Sequence, residues 1–116
     1  MTHTIDRMTH VSIDIRELGE RHVVVAIAGE IDLATAPCLE GALGWYRDCD
    51  VVVDLSAVRF LGSSGLTVLI RAQQQLLQTG HTLRTTGESD IVLTALRIAG
   101  LEDTFHGHRT EGPTRS

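Results

Sequence analysis

The chain has 116 residues, room for one hydrophobic core but not two. Apolar residues make up 42% and charged residues 22%, an ordinary globular mixture rather than a disordered one. With 10 basic against 15 acidic side chains the formal net charge is -5, and no Lys/Arg cluster stands ready to neutralise phosphates, so nucleic acid or an anionic membrane is not expected as the main partner.

Residues 1–10 are polar and are expected to form a flexible N-terminal segment with no secretory-signal character. Val11 to Ile15 alternates apolar and polar residues, the pattern of a half-buried strand. Glu17 to His22 reads as a turn, and Val23 to Ala28 as a second strand buried on both faces and broken by Gly29. Asp32 or Thr35 is suited to cap a first helix, where Pro37 costs nothing because its missing N–H would lack an intrahelical partner. Ala36, Leu39, Ala42, Leu43 and Tyr46 supply the apolar side of that helix. Asp50 to Asp54 is a short β-branched run typical of a covered central strand.

A second helix is expected to bury Leu66, Leu69, Ile70, Gln73, Leu76 and Leu77, and to stop at Gly80. His81 to Thr86 is a fourth strand. Ser89 caps a third helix that buries Val92, Ala95, Leu96 and Ala99 and ends at Gly100. Thr104 to His106 is expected to add a last short strand, with residues 107–116 as a flexible tail. The order β-β-α-β-α-β-α-β predicts an α/β domain over 11–106. Its mixed sheet of four to five strands would be mostly parallel with an antiparallel opening hairpin, and three helices would pack beside it. No apolar run approaches the roughly 20 residues that span a bilayer, so a cytoplasmic protein is expected.

The segment Phe60-Leu-Gly-Ser-Ser-Gly-Leu66 joins the third strand to the second helix. Gly62 and Gly65 permit a tight turn, and Ser63 and Ser64 sit at a helix N-terminus, a place that favours negative charge. A phosphate on Ser63 would add about -1.5 to -2 charge units there without demanding a new fold. The plain structural alternative is a serine that caps the helix. An esterase elbow needs Gly-x-Ser-x-Gly, and two residues after Ser64 stands Leu66, with no His and acid pair evident. A phosphate-binding P-loop would need Lys after its last Gly.

The wider stretch Val51-Val-Val-Asp-Leu-Ser-Ala-Val-Arg-Phe-Leu-Gly-Ser-Ser-Gly-Leu-Thr-Val-Leu-Ile70 resembles the signature of STAS-domain anti-sigma factor antagonists. Gly29-Glu-Ile-Asp-Leu-Ala-Thr-Ala36 is similar to that family's segment at the start of the first helix, and Ser89 through Phe105 to its third helix and closing strand. The resemblance implies a non-enzymatic, cofactor-free switch. In this role the chain would bind an anti-sigma factor with serine kinase activity, free a sigma factor, and be turned off by phosphorylation. It implies Ser63 as phosphoacceptor, with Ser64 as the alternative and as helix cap. Glu30, Asp32, Gly62, Gly65 and Thr67 join the two serines in the partner contact, and a monomer or weak dimer is expected. One departure stands out: the family carries Asp before the phosphoacceptor, and here that residue is Gly62.

A STAS subunit of an ATPase-driven membrane transport complex, never phosphorylated, is the second reading, and a small serine hydrolase the third. Cys38 and Cys49 lack the Cys-x-x-Cys spacing of a redox or zinc motif and are expected to be reduced. His106 and His108 lack a third metal ligand nearby, and Asp54 is expected to close its strand.

Overall fold

Seven elements follow one another in the expected order: β1 (Val11–Glu17), β2 (His22–Ile31), α1 (Ala36–Leu43), β3 (Asp50–Leu61), α2 (Ser63–Gln78), β4 (Leu83–Thr86) and α3 (Asp90–Ile98). They belong to a computed structural model that describes residues 11–98 and residue 100. The expected strand at Thr104 to His106, the burial expected of Ala99, and the segments 1–10 and 107–116 lie outside the described residues.

The sheet order is β1-β2-β3-β4. The hairpin makes β1 and β2 antiparallel, while the helical crossovers make β2 with β3 and β3 with β4 parallel. Ile13 lies opposite Ile27, Ile15 opposite Val25, Val25 opposite Val53 and Val51 opposite Leu83, and all are buried. Because Cβ atoms of register partners leave the sheet on the same side, these residues form one continuous inner face. α2 packs against β3 and β4, α1 against α2, and α3 against β3. Leu39, Leu43, Val68, Leu69, Leu76, Val92 and Leu96 complete the core.

Four expectations need correction. Gly29 does not end β2. It adopts φ +110 inside the strand, a conformation open to glycine, and pairing continues to Ile31 opposite Leu61. Nor is β2 buried on both faces, since Val24, Ala26 and Ala28 are only half-buried. The central strand is the largest revision: β3 runs twelve residues, and Asp54 lies inside it, its Oδ1 accepting from the Ser56 N–H at 2.9 Å. Its register against β2 slips twice, between Ala26 and Ala28 and between Gly29 and Glu30, each time giving β3 one extra residue. The buried set therefore steps Val53, Leu55, Val58, Leu61 rather than every second residue. Finally, the inner face of α2 is centred on Gly65, Val68, Leu69 and Leu76, with Leu77 left 57% exposed, because Gly65 brings that side of the helix closest to the sheet.

Candidate functional site: the serine loop

Parallel pairing carries β2 and β3 to the same end of the sheet, where Glu30 lies opposite Phe60 and Ile31 opposite Leu61. The Gly62 N–H donates to the Ile31 carbonyl at 2.9 Å, and the chain then turns directly into α2. Gly62 is the N-cap residue, with extended backbone (φ -86, ψ 179), and its carbonyl accepts the first helical bond from the Leu66 N–H at 3.1 Å. No side chain caps this end, so Ser64 does not serve as the expected cap; it is the second helical residue and half-buried. Ser63 is the first helical residue and is exposed. The N–H groups of the first turn have no intrahelical acceptor and carry the positive end of the helix dipole, which suits an anion.

Gly65 is buried beneath this turn for a steric reason. A Cβ there would come within 2.6 Å of Ile31 Cγ2 and 2.7 Å of Leu61 Cδ1. Thr67, exposed one turn on, donates its hydroxyl to the Ser63 carbonyl at 3.0 Å.

The loop between β2 and α1 is tied to itself. Asp32 Oδ1 accepts from the Ala34 N–H at 3.0 Å and the Thr35 N–H at 3.1 Å. The buried Thr35 hydroxyl accepts from the Asp32 N–H and donates to the Glu30 carbonyl, each at 2.8 Å. The Thr35 N–H above all, with the Thr35 hydroxyl and the Ala34 N–H, holds the Asp32 carboxyl below its ordinary 3.8 against a smaller opposing effect of desolvation. Thr35 is the N-cap of α1, yet its hydroxyl serves this loop and not the helix end.

Glu30, Gly62, Ser63, Ser64 and Gly65 are thus brought to one end of the sheet, and Asp32 and Thr67 follow by chain connection. Glu30 is exposed, whereas the Asp32 carboxylate is already engaged within its own loop. Two apolar side chains at the same end, Leu33 at 81% exposure and Phe60 at 47%, are exposed although the sequence pattern does not mark them. Phe60 gave no signal because the second register slip in β3 is what turns it outward.

The described histidines, His22 and His81, lie by Asp50 at the start of β3. Among the described residues no group of three or more His, Cys, Asp or Glu is arranged to hold a metal ion. Cys38 and Cys49 are both free thiols, the second buried. No helix among the described residues is long and apolar enough to cross a membrane.

The family model described as "Mlab, STAS domain" matches residues 10–107. An anti-sigma-B factor antagonist of Listeria monocytogenes is 35% identical over 106 residues, 89% of this chain and 93% of that protein. The anti-sigma-F factor antagonist RsfB of Mycobacterium tuberculosis is 36% identical over 85 residues, 71% of this chain and 69% of its own. Among solved structures, an anti-sigma factor antagonist from Mycobacterium paratuberculosis superposes with a TM-score of 0.73 at 31% identity, covering 91% of this chain and 92% of that one.

Proposed function

The chain belongs to the STAS-domain family, and from that premise we propose that it is an anti-sigma factor antagonist switched at Ser63. Unphosphorylated, it binds an anti-sigma factor that is also a serine kinase and so releases a sigma factor. Phosphorylated on Ser63, it lets that partner go. In this reading it is a cytoplasmic binding protein and not an enzyme.

The observation that carries the reading is the placement of Ser63. It is the exposed first residue of a helix whose N-terminus no side chain caps, beside the paired ends of β2 and β3. A dianion is tolerated at that position by the folded protein, yet it lands in the middle of the surface offered to a partner. Binding should therefore be lost without unfolding. Glu30 and Thr67 are exposed contacts at the same end, and Asp32 and Gly65 shape it from behind.

The test is affinity measured against purified anti-sigma factors of the source organism. Ser63→Ala should bind within a few-fold of wild type, and Ser63→Glu about a hundredfold more weakly with an unchanged melting temperature. Equal binding by Ser63→Glu, or phosphate recovered on Ser64 after incubation with the kinase, would end the assignment of Ser63. A second reading keeps the binding role and drops the phosphate: a STAS subunit of an ATPase-driven transport complex. Gly62, standing where the antagonists carry an acid, is what favours it.

A further inference from the structure

A switch at Ser63 does not by itself account for the two apolar side chains that stand around it. Phe60 lies opposite Glu30 in the last rungs joining β2 to β3, and Leu33 stands two residues past the end of β2. Both are exposed, and neither is loosely placed. The Phe60 ring lies against the helix start: a Cβ at Gly62 would come within 3.1 Å of its Cε2 and 3.4 Å of its Cζ. Gly62 has no such atom, so the ring rests directly before Ser63. Leu33 is carried by a loop closed across it, where the Asp32 carboxylate accepts from the Ala34 and Thr35 N–H groups. The two pieces join at their root, where the Gly62 N–H meets the Ile31 carbonyl.

We propose that Leu33 and Phe60 are the anchors of the anti-sigma contact, received by an apolar cleft of that partner, and that they supply affinity while Ser63 supplies control. The proposal rests on the reading of the chain as an antagonist switched at Ser63. Apolar side chains held in place before binding lose little freedom on docking, which is the character of residues that dominate an interface. Charge offers no comparable basis for recognition. Glu30 and Arg59, the exposed ionic neighbours, are of opposite sign, and the Asp32 carboxylate is engaged in its own loop.

Position links the anchors to the switch. Seating the Phe60 ring in a cleft strips water from the adjoining Ser63, which a hydroxyl tolerates and a phosphate dianion does not. Release on phosphorylation then needs no acid at residue 62.

The test is calorimetric titration of the whole chain with the purified anti-sigma factor, Ser63→Glu being run beside the anchor variants. Leu33→Ser and Phe60→Ser should each weaken binding about tenfold or more, and Leu33→Met should stay within a few-fold of wild type. Leu33→Ser should melt as wild type does, since that side chain is exposed. Because the contact is apolar, wild-type affinity should change less than about threefold between about 0.1 and 1 M sodium chloride. Full affinity in both anchor variants, with Ser63→Glu still weakened, overturns the anchors and leaves the antagonist reading intact. Ser63→Glu binding at wild-type strength overturns that reading and the anchors with it. A steep fall of affinity with salt overturns the apolar cleft. Self-association of the chain that Leu33→Ser abolishes would assign the pair to a second copy and overturn the proposal equally.

Discussion

Where β3 runs into α2, the structure is held by shape; where β2 and β3 begin, it is held by polar ties. At the serine end, Gly65 sits against Ile31 and Leu61, and no side chain caps α2. At the opposite end the Asp50 carboxylate does the joining. Its Oδ1 accepts from the Thr82 N–H at 3.0 Å, with His81 Nδ1 at 3.3 Å and His22 Nε2 at 3.7 Å from the same carboxylate. A partner surface needs free polar groups and a firm base beneath them, and close packing under an uncapped helix provides both. A carboxylate bridging three segments provides stability.

The contrast should break first at Gly65. Gly65→Ala gains helix propensity of at most about 1 kcal/mol. It also forces a methyl group into space already held by Ile31 and Leu61, and overpacking of that kind costs about 1–3 kcal/mol. Net destabilisation is expected, read as a fall of several degrees in Tm at about 4–8 °C per kcal/mol for a domain near this size. In a Leu61→Ala background the penalty should shrink, because one of the two colliding groups is gone. A full penalty there would show that the fit is not what glycine serves.

At the polar end the expected effects are smaller. Asp50→Ala removes the acceptor of the Thr82 N–H at a largely accessible site, a loss of about 1 kcal/mol in denaturant unfolding. Acid should show the same contact without a mutation. The Thr82 N–H first, then His81 and His22, hold the folded Asp50 pKa below its ordinary 3.8, outweighing desolvation. A depressed carboxyl binds its proton more readily in the unfolded chain, so its stabilisation is complete above about pH 4 and is lost as pH falls through the folded value. Asp50→Asn should flatten that part of the stability profile, and an unchanged acid limb would assign the sensitivity elsewhere.

The two ends also differed in how legible they were. Period-two alternation makes β1 readable and a β-branched run the start of β3, and Ser89 stands at its helix end as expected, its Oγ accepting from the Val92 N–H at 3.3 Å. The stretch Leu55 to Leu61 carries no such pattern, because two register slips shift its inward residues, so neither the true end of β3 nor the exposure of Phe60 is legible there. Glycine misled in both directions. Gly29 reads as a breaker but lies within a strand, and Gly65 reads as part of a tight turn but lies within α2, packed against side chains. The Asp50 ties span about thirty residues of sequence, a separation at which no local pattern operates.

Gly62→Asp should produce the smallest change in stability and the most informative one. Gly62 already has backbone angles open to any residue, and a carboxylate at an N-cap can accept from the first-turn N–H groups that now lack a side-chain partner. Against this, a Cβ would come within 3.1 Å of the Phe60 ring, which is 47% exposed and has room to swing outward. The expected sum is a gain of a few tenths of a kcal/mol, because glycine is itself a fair N-cap. The same substitution restores the acid that the antagonist family carries before its phosphoacceptor. Two roles for that acid then separate cleanly. If it serves the kinase, the rate of phosphate transfer to Ser63 should rise severalfold while Tm barely moves. If it serves as a helix cap, Tm should rise slightly while the rate stays flat or falls, because a capping carboxylate competes with a phosphate for the same N–H groups. Asparagine is the control: Gly62→Asn caps nearly as well without the charge, so a rate increase shared by both variants would trace to the ordered helix end rather than to an acid beside the serine.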